Sequence, residues 1–128
     1  MTVKQAEAIR NDFAGKNNPT EDEFFAFTEA MGFLIETNKD PRDMMYLGGV
    51  YYELKQFDLA LKYYEMAATY DYEEAYNCLG YIWYYGRTGE KNDEKAFACF
   101  SRSAALGNIQ SEYKIADMYK NGYYVERD

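Results

Sequence analysis

Apolar residues recur every three or four positions along most of this chain, which is the spacing of one face of an α-helix. In the second predicted helix they are Phe24, Phe27, Met31, Leu34 and Ile35. Pro19 and Pro41 fall between such segments, because the interior of a helix excludes proline. The pattern predicts seven helices. The first covers about residues 3–13, the second begins after Thr20 and is closed by residues 38–41, and the third covers about 41–54. The fourth follows a turn at residues 55–56 and includes residues 59–68, the fifth covers about 73–85, the sixth is capped by residue 92 or 93 and runs through 106, and the seventh covers about 110–120.

A helix-turn-helix unit over residues 75–107 recurs imperfectly on both sides. Aligning three large apolar residues brings small residues and then aromatic residues into register. The aligned sets are Leu47, Leu79 and Ile115, then Gly48, Gly80 and Ala116, then Tyr51, Trp83 and Tyr119. The small residues let a neighbouring helix approach closely, and no single hairpin can bury both of its faces. The repetition predicts an all-α solenoid of about seven antiparallel helices, forming one domain over residues 1–128.

Composition narrows the classes of function. The chain has 128 residues, 48% of them apolar, which is enough for a buried core. Its formal net charge of -8 repels phosphate backbones and anionic lipids, so we expect neither nucleic acid nor a membrane as a partner. Histidine is absent and only two cysteines occur, which argues against imidazole-assisted nucleophiles and zinc sites. Because a stack of helical hairpins also binds partners far more often than it transforms them, we expect no enzyme activity, no metal and no cofactor.

Two features bear on the location of the protein. The first residues mix Lys4, Glu7 and Arg10 with apolar side chains, unlike the apolar core of a secretory signal. Cys78 and Cys99 do not make a disulfide framework, and both are predicted to be small buried residues of one hairpin. These features predict a cytoplasmic protein.

The second repeat carries a dense motif, formed by Ala75, Leu79, Gly80, Trp83, Gly86, Gly89, Lys95, Ala96, Phe100, Ala104 and Gly107. This motif resembles the Sel-one-like repeat, a relative of the tetratricopeptide repeat. The resemblance implies a right-handed α/α superhelix, with capping helices over 1–42, repeats over 43–71 and 72–107, and a partial repeat over 108–128. It also implies a non-catalytic adaptor or scaffold. The alternative is an enzyme like those of a secreted, cysteine-rich branch associated with penicillin binding and β-lactam hydrolysis.

In related repeats the first helix of each pair lines the concave surface, and the resemblance places specific side chains there. The predicted partner-binding residues are Met45, Tyr52, Asn77, Tyr81, Tyr84, Tyr85, Tyr113 and Lys120, accompanied by Gly49, Glu53, Asp117 and Asn121. Tyrosine predominates, and its apolar ring with a polar tip suits a peptide or protein partner. The alternative for each tyrosine is interlayer core, and for Asn77 it is solvation in place of a clamp on a peptide backbone. Because Lys120 is the one cation of the set, acidic peptides are not favoured.

Two other features of the sequence bear on possible sites. The acidic run Asp71, Glu73 and Glu74 precedes the fifth helix, where the helix dipole favours carboxylates, so we expect capping there and no cation site. The seventh helix has no successor in this sequence. An uncapped apolar surface is therefore predicted at that end, open to a second subunit of a homo-oligomer or to further repeats, and formed by Ile115, Met118, Tyr119, Tyr123 and Val125.

Overall fold

The structure, a computed structural model, describes residues 1–122, and these form seven α-helices. The helices are α1 (Val3–Ala14), α2 (Glu21–Asn38), α3 (Pro41–Glu53), α4 (Phe57–Ala68), α5 (Glu73–Tyr85), α6 (Asp93–Ala105) and α7 (Ile109–Asn121). The described residues include no strand, and none of their helices has the length and apolar character needed to cross a bilayer. The predicted all-α repeat fold is confirmed.

Polar side chains determine where most of the helices begin. Thr20 accepts a hydrogen bond from the Glu23 N–H, and the Glu23 side chain accepts one from the Thr20 N–H. This reciprocal pair satisfies two backbone donors that the first turn of α2 would otherwise leave unpaired. Helices α1, α3, α6 and α7 begin with a comparable side-chain cap, from Thr2, Asp40, Asn92 and Asn108.

The helices stack in the order in which they occur in the sequence. Extensive contacts join each helix to the next one, from α1 and α2 through to α6 and α7, and α2 with α3 is the sparsest of these contacts. Three hairpins result, α1 with α2, α3 with α4, and α5 with α6, and α7 packs against the last of them. This nearest-neighbour arrangement is what a solenoid requires, since each layer buries the face that its neighbour exposes.

Two glycines allow the helices of a hairpin to approach closely, as the repeat alignment predicted. A Cβ atom on Gly48 would lie 2.8 Å from Cε1 of Tyr64, and one on Gly80 would lie 2.5 Å from Cε1 of Phe100. Any side chain there would collide with an aromatic ring of the partner helix. The third aligned position differs, because Ala116 is exposed.

The uncapped apolar surface predicted for α7 is partly wrong. Met118 is fully buried against Ala96 and Phe100 of α6, and Ile115 packs against the same cluster. These two residues turn inward because they join a cluster formed by α6 together with Tyr81, Trp83 and Tyr84 of α5. Tyr119 is 44% exposed, in agreement with the prediction. Tyr123 and Val125 lie outside the described residues.

Candidate functional site

The carboxyl-terminal ends of α3 and α5 bring four of the predicted tyrosines to one side of the stack. Tyr52 lies in the last turn of α3, and Tyr81, Tyr84 and Tyr85 lie in the last turns of α5. Helix α5 stops at Gly86, whose φ of 64° is a left-handed conformation that favours glycine. The chain then folds back, and the Asn92 N–H donates to the carbonyl of Trp83 at 2.9 Å. The loop over residues 86–92 is thereby held against the end of α5.

Three of these tyrosines surround a cavity of about 260 Å³, which we call the tyrosine pocket. Its lining consists of Tyr52, Tyr64, Cys78, Tyr81 and Tyr85, and is mainly apolar. The Tyr81 and Tyr85 rings stack with centroids 6.0 Å apart. The rings of Tyr81 and the buried Phe100 are also nearly perpendicular, with centroids 5.0 Å apart, and this contact fixes Tyr81 to the core. Tyr85 is 54% exposed and so presents part of its side chain to solvent.

Arg87 lies at the edge of the tyrosine pocket. Its Nε donates a hydrogen bond to the Tyr52 hydroxyl oxygen at 3.0 Å. The guanidinium carbon lies 5.0 Å from the ring centroid of Tyr85, 5.7 Å from that of Phe57 and 5.8 Å from that of Tyr52. These are cation–π distances, so the guanidinium is held by rings from three helices.

Tyr84 lies beside the pocket between two ammonium groups. The Lys114 Nζ is 3.7 Å from the Tyr84 ring centroid, and the Lys91 Nζ is 4.6 Å from it. Both lysines also have carboxylate partners, Asp117 for Lys114 at 3.6 Å and Asp93 for Lys91. Lys114 belongs to α7, so its contact with Tyr84 ties the third layer to the second.

Two ionisable groups in the lining of the pocket stay neutral at physiological pH. Burial raises the pKa of the Cys78 thiol to about 11. Burial, with a smaller effect of Cys78, also raises the pKa of the Tyr64 hydroxyl well above its usual range. Removing either group from water disfavours its charged form. The pocket therefore offers an apolar, uncharged interior below a cationic rim.

Not all of the predicted partner-binding residues belong to this site. Met45 is half-buried against the main core, while Tyr113 and Lys120 are exposed on α7 outside the lining of the pocket. Asn77 is only 6% exposed, and its Oδ1 accepts a hydrogen bond from the Ser111 hydroxyl at 2.7 Å. The expectation of an open position for Asn77 is corrected, because α7 covers this side chain and uses its amide to join α5.

Sequence reasoning did not place Arg87, Lys114 or Cys78 at the site. Cys78 and Lys114 directly precede the aligned apolar residues Leu79 and Ile115, a position that the concave set left out. In the structure both contact a tyrosine of the site, since Cys78 lines the pocket and Lys114 covers Tyr84. The two residues occupy the same position of successive repeats, so an alignment that included this position could have placed both of them at the site. Arg87 lies in a loop, and the helical pattern carries no information about its direction.

Residues 1–122 contain no group of three or more acidic or cysteine side chains arranged to hold a metal ion. In the acidic run before α5, Asp71 pairs with Arg102 at 3.0 Å, and Glu73 accepts a hydrogen bond from the Asn108 amide. Both carboxylates thus join the α5–α6 hairpin to its surroundings.

Comparison with known proteins identifies the family. The Sel1 repeat model matches residues 44–69, 71–108 and 109–128, together more than half of the chain. No curated protein matches. A crystal structure of a Sel1 repeat protein from Oxalobacter formigenes aligns with a TM-score of 0.72 and 23% identity, over 99% of this chain and 49% of that one.

A protective antigen of uropathogenic Escherichia coli strains, which displays an SLR fold, aligns equally well. Its TM-score is 0.72 at 20% identity, over 98% of this chain and 27% of that one. This chain therefore spans about half the length of the first neighbour and about a quarter of the second. At these identities the neighbours show the fold, and the match over three repeats shows the family. The chain belongs to the Sel1 repeat family.

Proposed function

We propose that this protein is a non-catalytic adaptor that binds a peptide or a partner helix at the tyrosine pocket. Sel1 repeat proteins generally mediate protein–protein interaction. The observation that carries the proposal is the convergence of Tyr52, Tyr81 and Tyr85, from two helices, around one open apolar cavity. Convergent aromatic side chains around a concavity are typical of the few residues that dominate binding energy.

The side chains of the pocket are already held in place, which favours binding. Tyr81 is fixed by Phe100, and Tyr85 is covered on one side by Tyr81 and contacted by Arg87. A partner would therefore immobilise few additional rotatable bonds on this surface, so less conformational entropy opposes association. The exposed half of Tyr85 supplies apolar area with a hydroxyl that remains free to reach water.

The test uses peptides selected from a random library displayed on phage against the full chain. Tyr85→Ala is expected to raise the dissociation constant of the selected peptides about tenfold or more, as removal of a central aromatic anchor does. Tyr70→Ala is the matched control, because Tyr70 is 48% exposed and lies outside the pocket lining. Tyr81 is a poorer choice, since its replacement would also disturb Phe100. Failure to select any peptide, or equal effects of the two variants, would overturn the proposal.

Under this proposal the partners are proteins or peptides. Nucleic acid, membranes and cofactors are not expected to bind. The net charge of -8 supports this assignment, because it opposes binding to phosphate-rich surfaces. A cytoplasmic location is part of the proposal and is supported by Cys78 and Cys99, which are both free thiols. Cell fractionation against compartment markers tests it, and recovery with secreted proteins would contradict it.

Self-association through α7 is a second candidate function. It is favoured by the exposure of three large side chains on this helix, Ile109 at 63%, Tyr113 at 73% and Tyr119 at 44%. A second copy that covered them would remove apolar area from water. Sedimentation velocity over a range of concentrations tests this candidate. It predicts a concentration-dependent shift that Tyr119→Lys abolishes, and a strictly monomeric particle at high concentration would contradict it.

A further inference from the structure

Arg87 is a cation at the edge of the tyrosine pocket whose hydrogen-bonding capacity is mostly unused. A guanidinium carries five N–H donors in a planar fork. Within residues 1–122, Nε makes the one hydrogen bond of this group, to Tyr52, and no carboxylate forms a salt bridge with it. The rings of Tyr85 and Phe57 hold the guanidinium in position. Its two terminal NH₂ groups are therefore oriented and available.

The other cations near the tyrosines differ in this respect. Lys91 pairs with Asp93 and Lys114 pairs with Asp117, so each has a carboxylate of its own chain. Arg87 also lines a second, more open depression of about 450 Å³, which continues beyond it toward the α3–α4 turn. That depression contains a second cation, Lys55, and one carboxylate, Asp58. Arg87 and Lys55 thus give this depression two cations against one carboxylate, although Glu74 acts on Cys78 and Tyr64 of the tyrosine pocket and the chain as a whole is acidic.

We infer that the segment bound at this site carries an apolar side chain next to a carboxylate. The apolar side chain, aliphatic or aromatic, enters the tyrosine pocket, and the carboxylate of an adjacent Asp or Glu pairs with the terminal NH₂ groups of Arg87. The inference rests on the proposed function, since it specifies the partner of the same site. It also replaces the expectation that acidic peptides are not favoured, which counted Lys120 as the one cation of the surface.

The size of the pocket fits this occupant. An engineered protein cavity of about 150 Å³ holds a benzene molecule, so 260 Å³ accommodates one side chain of a large apolar residue. The neutral forms of Cys78 and Tyr64 leave no charge in the interior to favour a polar group. The polar part of the ligand then has to lie at the rim, where Arg87 is found.

Arginine and lysine differ in what they can do at this rim. A guanidinium binds a carboxylate through two parallel N–H···O hydrogen bonds, which a lysine ammonium cannot reproduce. Because Arg87 is largely exposed, the pair contributes less than a buried one would. We therefore expect a measurable effect on affinity and a clear effect on which peptides are selected.

The experiment selects peptides from a random phage-displayed library against the full chain and against Arg87→Met, which retains an unbranched apolar side chain beside the rings. Peptides from the unaltered chain are expected to be enriched in Asp or Glu beside a large apolar residue. The Arg87→Met peptides are expected to keep the apolar residue and lose the acidic enrichment. Arg42→Met is the matched control, because Arg42 is exposed, pairs with Asp40 and lies outside the lining of both depressions.

A double-mutant cycle measures the interaction between Arg87 and the carboxylate of the peptide directly. Changing the acidic residue of one selected peptide to its amide is expected to weaken binding to the unaltered chain about threefold to fivefold and to Arg87→Met less than twofold. Arg87→Lys is expected to fall between them. The peptide change needs no protein variant, so it remains informative if Arg87→Met is unstable.

The possible failures are distinguishable. Selected peptides that depend on Tyr85 but show no acidic enrichment, or an amide change that weakens binding equally in both proteins, would overturn the inference and leave the adaptor proposal standing. Peptides whose binding is insensitive to Tyr85→Ala, or a library that yields no binder, would overturn both.

Discussion

Gly80 of α5 and Phe100 of α6 are in such close contact that a Cβ atom on the glycine would lie 2.5 Å from Cε1 of the ring. The Phe100 ring is fully buried and packs at nearly a right angle against the Tyr81 ring, so it has little room to move. Gly80→Ala should therefore lower the free energy of unfolding by about 1–2 kcal/mol, since overpacking outweighs the gain in helix propensity. Urea unfolding followed by circular dichroism measures this.

Gly32→Ala is the matched control for that substitution. Gly32 is also inside a helix, but it is exposed and a Cβ atom there would have no neighbour within 4 Å. At this position the substitution changes only the helix propensity, which is higher for alanine than for glycine. The free energy of unfolding should therefore rise by about 0.5–1 kcal/mol. A loss of stability at both positions would show that close packing against Phe100 is not the cause.

The buried hydrogen bond between Asn77 and Ser111 should contribute to the docking of α7. The Ser111 hydroxyl donates to Asn77 Oδ1 at 2.7 Å, and both residues are buried. Ser111→Ala would leave this oxygen without its donor, which should lower the free energy of unfolding by about 1–3 kcal/mol. Ser101→Ala, at a half-buried position of α6, should change it by less than about 0.5 kcal/mol. Equal effects of the two substitutions would contradict the assignment.

The two cysteines should react slowly in the folded protein. Burial raises the pKa of both the Cys78 and the Cys99 thiol to about 11. At pH 8 their thiolate fraction is then roughly two-hundredfold lower than that of an ordinary thiol with a pKa near 8.5. Labelling with a chromogenic disulfide reagent should accordingly be roughly two-hundredfold slower in the folded chain than in urea. Rates that agree within a few-fold would contradict the raised pKa values.

The same groups predict how stability depends on alkaline pH. Because burial raises the pKa of Cys78, Cys99 and Tyr64, the folded chain keeps protons that the unfolded chain has already lost. Between about pH 9 and pH 11 the folded state binds more protons than the unfolded state, so the free energy of unfolding falls as the pH rises. Thermal unfolding across this range measures the decline. Cys99→Ala should make the decline in stability with pH less steep. An unchanged slope in that variant would contradict the assignment of part of the decline to the buried Cys99 thiol.

We expect no β-lactam hydrolysis above background. The sequence contains no histidine, and the Cys78 and Cys99 thiols remain protonated at neutral pH because their pKa is raised to about 11. Activation of a nucleophile needs a neighbouring base or a lowered pKa, and these cysteines have their pKa shifted in the opposite direction. A nitrocefin assay at neutral pH measures the activity. Turnover that persists in a purified sample and is lost on unfolding would contradict the non-catalytic assignment.

The candidate site could be predicted only in part. The resemblance to related repeats placed Tyr52, Tyr81 and Tyr85 on one surface, and the structure brings them around one pocket. Arg87 was not expected there, because its side chain is directed by a loop whose fold depends on Gly86 and on the bond from Asn92 to Trp83. A loop has no repeating hydrophobic pattern from which its course could be read.

Met118 and Asn77 show a second limit of sequence reasoning. Periodicity indicates which residues of α7 share a face, but the face that turns inward depends on how α7 packs against α6 and α5. In the structure Met118 reaches the Phe100 cluster, and Ser111 reaches Asn77 across the layers. Both contacts join segments far apart in the sequence, so no local pattern specifies them.

The sequence by itself determined the seven helices, their order and the close approach of Gly48 and Gly80 to the neighbouring helix. Capping residues and apolar spacing act over a few residues, and each layer needs only the next one to bury its apolar face. Tertiary structure alone decided which side chains surround the tyrosine pocket and which cation stands at its rim. Those positions depend on the rotation of each helix against its neighbour, which is set by the packing of side chains from different layers.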